Sequence, residues 1–291
     1  MQPISQSDRI NFIRKHLITL PLRCAEPIMF GLHHEEVGEE HAWMRSATVT
    51  LLKVRDRRLV VLNEHVIRQI RRAVAKNTTK GTVRVQIGST PVDIESLLLG
   101  TNAASDLAIL DATNLTLERG ERLDLVNTMT FGATCKPEGF VPLQYHQPSP
   151  WPAPDIAADD VVMLGGFPEM MRRRAGVDVT HGTWSMAGIA ITGEGFDEFR
   201  IRFDRSGWEN EFGPSNDPQL LSRELSGLSG SPVFVDRGAE GTLNSPLVGF
   251  VKAYQKDDDL LVITSATNIR SDGTLKARPD PIFLADDEGD G

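Results

Sequence analysis

Cysteine is scarce in this chain of 291 residues, which contains only Cys24 and Cys135. Two cysteines far apart in the sequence do not build the framework of several disulfides that secreted domains often use, and they fit a reducing compartment. The first residues lack a basic stretch followed by an apolar stretch, so we expect no secretory signal and a cytoplasmic location. Positive charge is also in deficit, with a net charge of -9, and no apolar run is long enough to span a bilayer. We therefore expect neither a nucleic-acid partner nor a membrane partner.

The most informative segment is Gly-Leu-Ser-Gly-Ser-Pro-Val-Phe at 227–234, in which Ser229 lies between two glycines and before an apolar run. Flanking glycines let the backbone turn sharply enough to expose the serine hydroxyl. They also let two backbone N–H groups point at one place, as stabilisation of an oxyanion requires. This pattern indicates a nucleophilic serine.

A nucleophilic serine needs a base, and the base needs a carboxylate that orients it. His65 follows the apolar run 59–62 after the short polar step Asn63-Glu64, and Asp106 begins the apolar run Asp-Leu-Ala-Ile-Leu. Each residue also has a structural explanation: a histidine at a strand end satisfied by the backbone, or an acid in a turn. We favour the catalytic interpretation because all three motifs occur together, in the order His, Asp, Ser.

These three motifs resemble those of the chymotrypsin/trypsin-like serine proteases, whose catalytic residues follow the same order. The form Ser-Gly-Ser-Pro-Val-Phe is similar to that of bacterial trypsin-like and glutamyl-endopeptidase-like members. The resemblance implies an all-β fold with two six-stranded antiparallel β-barrels, to which we add a short N-terminal helix at 6–20. It implies a serine endopeptidase without a cofactor, with a peptide or protein as substrate. His65 is then the base, Asp106 its orienting acid, and the N–H groups of Gly227 and Ser229 the oxyanion hole.

Substrate preference is predicted from the two segments that wall the specificity pocket in the resembled family. These segments carry Arg223, just before the nucleophile, and Lys252, on the strand that follows it. Two cations at the pocket predict an acidic side chain before the cleaved bond, although each also has the simpler interpretation of a surface charge. The family's usual Ser-Trp-Gly on that strand reads Lys-Ala-Tyr at 252–254 in this chain.

The chain divides at a proline-rich stretch, which we interpret as the connector between the barrels. The predicted organisation is an N-terminal helical extension at 1–22, a first barrel at 23–135, a connector at 136–160, a second barrel at 161–270 and an acidic tail at 271–291. Predicted elements are a hairpin at 47–62, a helix after His65, and strands at 82–88, 91–99, 121–132, 161–168, 179–192, 199–204, 231–235, 246–252 and 260–266.

Three alternatives stay open at this point. The run 33–41 holds three histidines and four acids, but it lacks the spacing that places two histidines on one helix face, so we expect no metal site. The chain could also be a catalytically silent fold that acts as a binding or scaffold module, or an intracellular regulatory or defence protease with a regulatory protein partner.

Leu228 stands where digestive relatives carry an aspartate that pairs with a new N-terminus, so we expect no activation by N-terminal processing.

Overall fold

The computed structural model of the chain describes residues 20–33, 44–77, 82–88, 90–117, 145–148, 151, 153–169, 172–175, 178–181, 184–192, 197–202, 225–237 and 245–277. Several predictions from the sequence therefore concern residues outside the described ranges. These are the helix at 6–19, the strand at 121–132, most of the run 33–41, the pocket residue Arg223 and the acidic end of the tail.

The N-terminal half forms one antiparallel sheet with a helix packed on it. Its elements are β1 (Ala25–His33), β2 (Met44–Val54), β3 (Arg57–Leu62), α1 (Glu64–Asn77), β4 (Thr82–Ile87), β5 (Thr90–Pro91), α2 (Ile94–Leu97), β6 (Leu98–Asn102) and β7 (Leu107–Asp111). The sheet has seven strands in the order β5-β4-β1-β2-β3-β7-β6. The predicted hairpin is confirmed as β2 and β3, which are joined at residues 55 and 56.

Two predictions for this half need correction. The expected closed six-stranded barrel is instead a seven-stranded sheet whose two edge strands do not pair with each other in the described part of the chain. The continuous strand expected at 91–99 is broken by the helical turn α2. Asp93 causes the break, because its carboxylate caps the turn by accepting hydrogen bonds from the backbone N–H groups of Glu95 and Ser96 at 3.2 and 3.5 Å.

The C-terminal half contains the closed barrel that the sequence predicts. Its strands are β8 (Val161–Gly166), β9 (Arg172–Ala175), β10 (Asp178–His181), β11 (Trp184–Thr192), β12 (Glu198–Arg202), β13 (Pro232–Val235), β14 (Leu247–Gln255) and β15 (Leu260–Ser265). Six of them close in the order β11-β12-β15-β14-β13-β8, and β9 and β10 form a separate hairpin. The run expected as one strand at 179–192 is thus divided between β10 and β11.

The two halves share a hydrophobic core in addition to the core of each half. This interface core is built from side chains of both halves, among them Leu52, Val54, Leu59, Val61, Leu107 and Ile109 from the sheet and Val161, Met163, Phe234, Leu247 and Phe250 from the barrel. Strand β2 explains how one sheet serves two cores. Ala47, Val49 and Leu51 point into the N-terminal core, whereas the alternate residues Leu52 and Val54 belong to the interface core.

The segment 145–148, part of the proline-rich stretch, packs against the interface core at His146. Its backbone pairs with β2, because His146 N–H donates to the Leu51 carbonyl at 2.9 Å and the Lys53 N–H donates to the His146 carbonyl at 2.8 Å. The imidazole lies edge-on to the Phe234 ring at 4.9 Å between centroids, and its Nε2 has no hydrogen-bond partner among the residues that the structure describes. Burial lowers the pKa of His146 to about 4.

In the described residues, no helix has the length and apolar character needed to cross a membrane.

The buried His146 should make stability depend on pH. In the unfolded chain this imidazole titrates near pH 6.5, whereas in the folded protein its pKa is about 4, so between these values only the unfolded chain binds the proton. Stability contributed by the neutral ring is therefore complete above pH 6.5 and is lost as the pH falls towards 4. The His146→Phe variant has no imidazole to titrate at this position. Its free energy of unfolding should therefore fall less than that of the wild type across this window, by up to about 1.4 kcal/mol per pH unit. Urea unfolding of both proteins at pH 7.5, 6.0 and 5.0 measures the difference, and parallel pH profiles would contradict it.

Candidate active site

The Asp106 carboxylate makes three hydrogen bonds, two with His65 and one with Asn63. Its Oδ2 lies 2.7 Å from His65 Nδ1 and accepts a hydrogen bond from Asn63 Nδ2 at 3.0 Å, and its Oδ1 accepts one from the His65 backbone N–H at 2.9 Å. An ionised carboxylate only accepts, so the proton of a neutral ring is on Nδ1, and Nε2 is the nitrogen left to act as a base. The arrangement fixes both the tautomer and the position of the imidazole.

Chain geometry explains why these groups meet. Strand β3 ends at Leu62 and α1 begins at Glu64, so His65 lies in the first turn of the helix. Asp106 closes the turn before β7, which pairs with β3, and it adopts a left-handed backbone conformation with φ of 52° that aspartate tolerates better than most residues. The barrel supports the same turn, because the Thr264 hydroxyl of β15 donates to the Ser105 carbonyl at 2.8 Å.

The Asp106 carboxyl is almost buried, with 9% of its side chain exposed. Burial raises its pKa, but the hydrogen bonds from His65 and Asn63 and the charge of His65 together outweigh burial, so the pKa lies below its usual value. Asp106 is therefore ionised at neutral pH. Such a carboxylate can orient an imidazole and stabilise the imidazolium that forms when the imidazole takes a proton.

Ser229 lies in a turn between two glycines in the left-handed region, with φ of 92° at Gly227 and 88° at Gly230. Strand β2 of the other half binds this turn with three hydrogen bonds. The Thr48 N–H donates to the Ser229 carbonyl at 3.0 Å, the Thr48 hydroxyl to the Gly227 carbonyl at 2.7 Å, and the Thr50 hydroxyl to the Gly230 carbonyl at 2.7 Å. The serine turn, residues 227–231, is thus docked on the N-terminal sheet.

Strand β14 binds the serine turn from the barrel. The Gly230 N–H donates to the Val251 carbonyl at 2.8 Å, and the Val251 N–H donates to the Ser231 carbonyl at 2.9 Å. No acceptor is found within the described residues for the backbone N–H of Gly227 or of Ser229. These are the two donors that the sequence predicts for an oxyanion hole.

Gly230 is the point where the serine turn touches the His65 side of the site. A Cβ added at this position would lie 2.1 Å from the Thr48 carbonyl oxygen and 3.4 Å from Asn63 Oδ1. The same Asn63 side chain donates to Asp106 through its Nδ2. The serine turn and the His65–Asp106 pair are therefore neighbours that share one asparagine.

The structure brings the predicted site residues together to different degrees. His65 and Asp106 are hydrogen-bonded to each other, whereas no hydrogen bond joins the half-buried Ser229 to His65. Lys252 forms an ion pair with Glu198 of β12, so its charge is compensated, and Arg223 lies outside the described ranges. The preference for an acidic residue before the cleaved bond stays a prediction.

Thr48, Thr50 and Asn63 were missed from the sequence, although all three are fully buried polar residues. A signal for the threonines does exist: they continue the face of β2 that Leu52 and Val54 present to the interface core. A buried hydroxyl on such a face needs a partner, and the serine turn supplies it.

Leu228, between the two glycines and next to the serine, is fully buried in the core of the barrel with Leu225 and Trp184. No carboxylate occupies this position to receive a buried ammonium group. Activation without N-terminal processing stays a prediction.

Metal-binding side chains do not cluster in the described part of the chain. This part contains no group of three or more histidine, cysteine, aspartate or glutamate residues that could hold a metal ion.

Comparisons with known proteins give only distant likenesses. No known family profile matches the chain, and no curated protein matches it. Among solved structures, a Glu endopeptidase in complex with MPD is 14% identical with a TM-score of 0.38, covering 82% of this chain and 84% of its own. Protease Anisep from Arthrobacter nicotinovorans is 11% identical with a TM-score of 0.36, covering 84% and 90%. A structure concerned with the coupled folding and binding of the Sesbania mosaic virus VPg protein is 12% identical with a TM-score of 0.34, covering 83% and 91%. Likenesses at this level do not identify a function, so the function is inferred from the geometry of the site.

Replacing Gly230 with alanine tests the packing of the serine turn. The new Cβ would clash with a backbone oxygen of Thr48 and would occupy a left-handed conformation that alanine disfavours, so we expect unfolding to be easier by at least about 2 kcal/mol. Gly100→Ala is the matched control, because a Cβ at Gly100 meets nothing within 4 Å. Urea unfolding measures both, and equal stability of the two variants would contradict the described packing.

Proposed function

We propose that this chain is a serine endopeptidase of the trypsin-like kind, with Ser229 as nucleophile, His65 as general base and Asp106 as orienting acid. The observation that carries the proposal is the buried Asp106 carboxylate fixed on His65 Nδ1 at 2.7 Å, beside a serine turn with two backbone N–H groups that find no acceptor among the described residues. A carboxylate that only stabilised the fold would not need to fix the tautomer of a partly exposed imidazole.

The proposed reaction follows from proton accounting. Ser229 Oγ attacks the carbonyl carbon of the substrate while Nε2 of His65 takes the hydroxyl proton, because a serine hydroxyl is a poor nucleophile at neutral pH. The C=O bond becomes a C–O⁻ group that accepts hydrogen bonds from the N–H groups of Gly227 and Ser229. His65 then gives the proton to the leaving amine, which departs and leaves an ester on Ser229. Water, deprotonated by His65, then attacks the ester carbonyl carbon; the C–O bond to Ser229 breaks, His65 returns the proton to Ser229 Oγ, and the carboxylic acid product leaves.

The missing hydrogen bond between Ser229 and His65 favours a second candidate function, a catalytically silent fold that binds a protein partner. The first candidate accounts for it as well, since catalytic hydrogen bonds are often long in ligand-free sites and tighten when the substrate binds. Rotation of the Ser229 side chain about its Cα–Cβ bond is the movement available to the hydroxyl. The two candidates therefore differ in the reactivity of Ser229.

Covalent labelling separates the candidates. A fluorophosphonate probe should modify Ser229 in the native protein, and Ser229→Ala and His65→Ala should each reduce peptide hydrolysis by about 10³-fold or more. The Ser229→Ala/His65→Ala double variant should cost little beyond either single variant, because the two residues act as one unit. Mass spectrometry of the labelled peptide and initial rates on an unstructured casein substrate provide the measurements.

Two controls make the test decisive. Heat-unfolded protein should not label, since the reactivity depends on the assembled site. Ser265→Ala, which removes a hydroxyl bonded to Thr267 and not to His65 or Ser229, should label fully. A folded native protein that is neither labelled nor active would reject the protease and leave the binding module. Losses that multiply in the double variant would contradict the shared catalytic unit.

A further inference from the structure

The peptide group between Ser226 and Gly227 is held in one orientation. The Ser226 carbonyl accepts a hydrogen bond from the Glu169 N–H at 2.7 Å, and in a planar trans peptide the next N–H points the opposite way. The Gly227 N–H is therefore directed away from Glu169. The Gly227 carbonyl is held separately by the Thr48 hydroxyl at 2.7 Å. Both carbonyl groups that flank the Gly227 Cα thus have fixed partners.

Glu169 binds Ser226 through its side chain as well as its backbone. Its Oε2 accepts a hydrogen bond from the Ser226 hydroxyl at 3.3 Å, and its Oε1 pairs with Arg172 Nη2 at 3.0 Å. Arg172 in turn places Nη1 3.5 Å from the hydroxyl of Ser46 on β2. The approach is close, because a Cβ on Gly227 would lie 2.4 Å from the Glu169 nitrogen. Glu169 is thus bonded to Ser226, the residue before the serine turn, and through Arg172 it reaches the N-terminal sheet.

A reversed Ser226–Gly227 peptide would place a carbonyl oxygen, rather than an N–H, where the substrate develops negative charge. Reversal would break the Glu169 N–H bond, and the side-chain clamp on Ser226 opposes the movement that precedes it. Glycine at 227 makes the reversed backbone accessible, since it adopts both signs of φ readily. Contacts outside the serine turn therefore decide which orientation is populated.

We propose that Glu169, held by Arg172, is a positioning residue that keeps the Ser226–Gly227 peptide in the orientation presenting the Gly227 N–H to the developing oxyanion. The inference rests on the proposed function, because the oxyanion exists only if Ser229 attacks a carbonyl carbon. Arg172 has a second effect in this arrangement. It compensates the Glu169 carboxylate, which is bonded to Ser226 and whose uncompensated charge in this region would oppose the development of negative charge on the substrate.

The test uses 4-nitrophenyl acetate as the acylating substrate and phenylboronic acid as the mimic of the tetrahedral oxyanion. Glu169→Ala should lower the acylation rate constant and weaken phenylboronic acid binding by about ten-fold each, with little change in the substrate KM. The loss is smaller than for deletion of an oxyanion donor, about 10²- to 10³-fold, because the backbone N–H of residue 169 remains. Glu169→Gln, which keeps an oxygen for the Ser226 hydroxyl, should recover part of the loss.

Charge compensation is tested with the same substrate. Arg172→Met should lower the acylation rate constant, and adding Glu169→Gln should restore part of it, because the second change removes the carboxylate left without its cation. Glu95→Ala is the matched control. Glu95, on α2, also pairs with an arginine, Arg71 of α1, but this pair lies away from the serine turn. We expect it to leave acylation unchanged.

The outcomes separate the two proposals. A wild-type protein that neither acylates nor binds phenylboronic acid overturns the proposed function and this inference together. A reactive wild type with an equally reactive Glu169→Ala variant, or with a loss confined to KM, overturns the inference alone. If Glu169→Ala does not fold, Ser226→Ala removes the same clamp at an exposed side chain, and an unchanged acylation rate in that variant overturns the inference.

Discussion

The candidate site depends on the hydrogen bonds that strand β2 of the N-terminal sheet makes to the serine turn of the barrel. Thr48 and Thr50 of β2 supply three hydrogen bonds to carbonyl groups of residues 227, 229 and 230, and the two that come from the hydroxyl groups are buried. Each bond contributes only about 0.5–1.5 kcal/mol net, but a buried group left without its partner costs about 1–3 kcal/mol. Undocking the turn would leave these groups without partners, so the docked position is favoured. The other groups of the site are placed relative to this docked turn.

Docking explains why the two halves of the chain cooperate. His65 and Asp106 belong to the N-terminal half and Ser229 belongs to the C-terminal half, so neither half contains the whole candidate site. The interface core lies on the same face of β2 as the two threonines, and it fixes the relative position of the halves by apolar burial. Polar contacts then set the register of the serine turn within that frame. Gly230 completes the fit, because any side chain there would meet the Thr48 carbonyl.

Sequence patterns predicted the parts of this molecule that depend on local chemistry. Short apolar runs located β2, β3, β8 and β14, and the flanks of His65 and Asp106 predicted a pair that the structure joins by a hydrogen bond. Features set by distant contacts were not predictable in this way. The capping by Asp93 that ends the expected strand at 91–99 competes with strand pairing, and the outcome depends on the neighbours of the sheet edge. Likewise, nothing local distinguishes Thr48 from any strand threonine, because its role is defined by residues about 180 positions later. The compensation of Lys252 by Glu198 arises from the barrel register of β12, β15 and β14.

Thr48→Val tests most directly whether the hydrogen bonds from β2 to the serine turn create the reactive site. Valine keeps the volume and strand preference of threonine, but it removes the hydroxyl that donates to the Gly227 carbonyl and accepts from the Phe167 N–H at 2.9 Å. The measurement is the rate constant for acylation by 4-nitrophenyl acetate, with Thr113→Val as the control for loss of a hydroxyl remote from the site. The account predicts an acylation rate lower by about 10- to 100-fold in Thr48→Val, with cooperative unfolding retained and Thr113→Val unchanged. A Thr48→Val protein that acylates at the wild-type rate would contradict it.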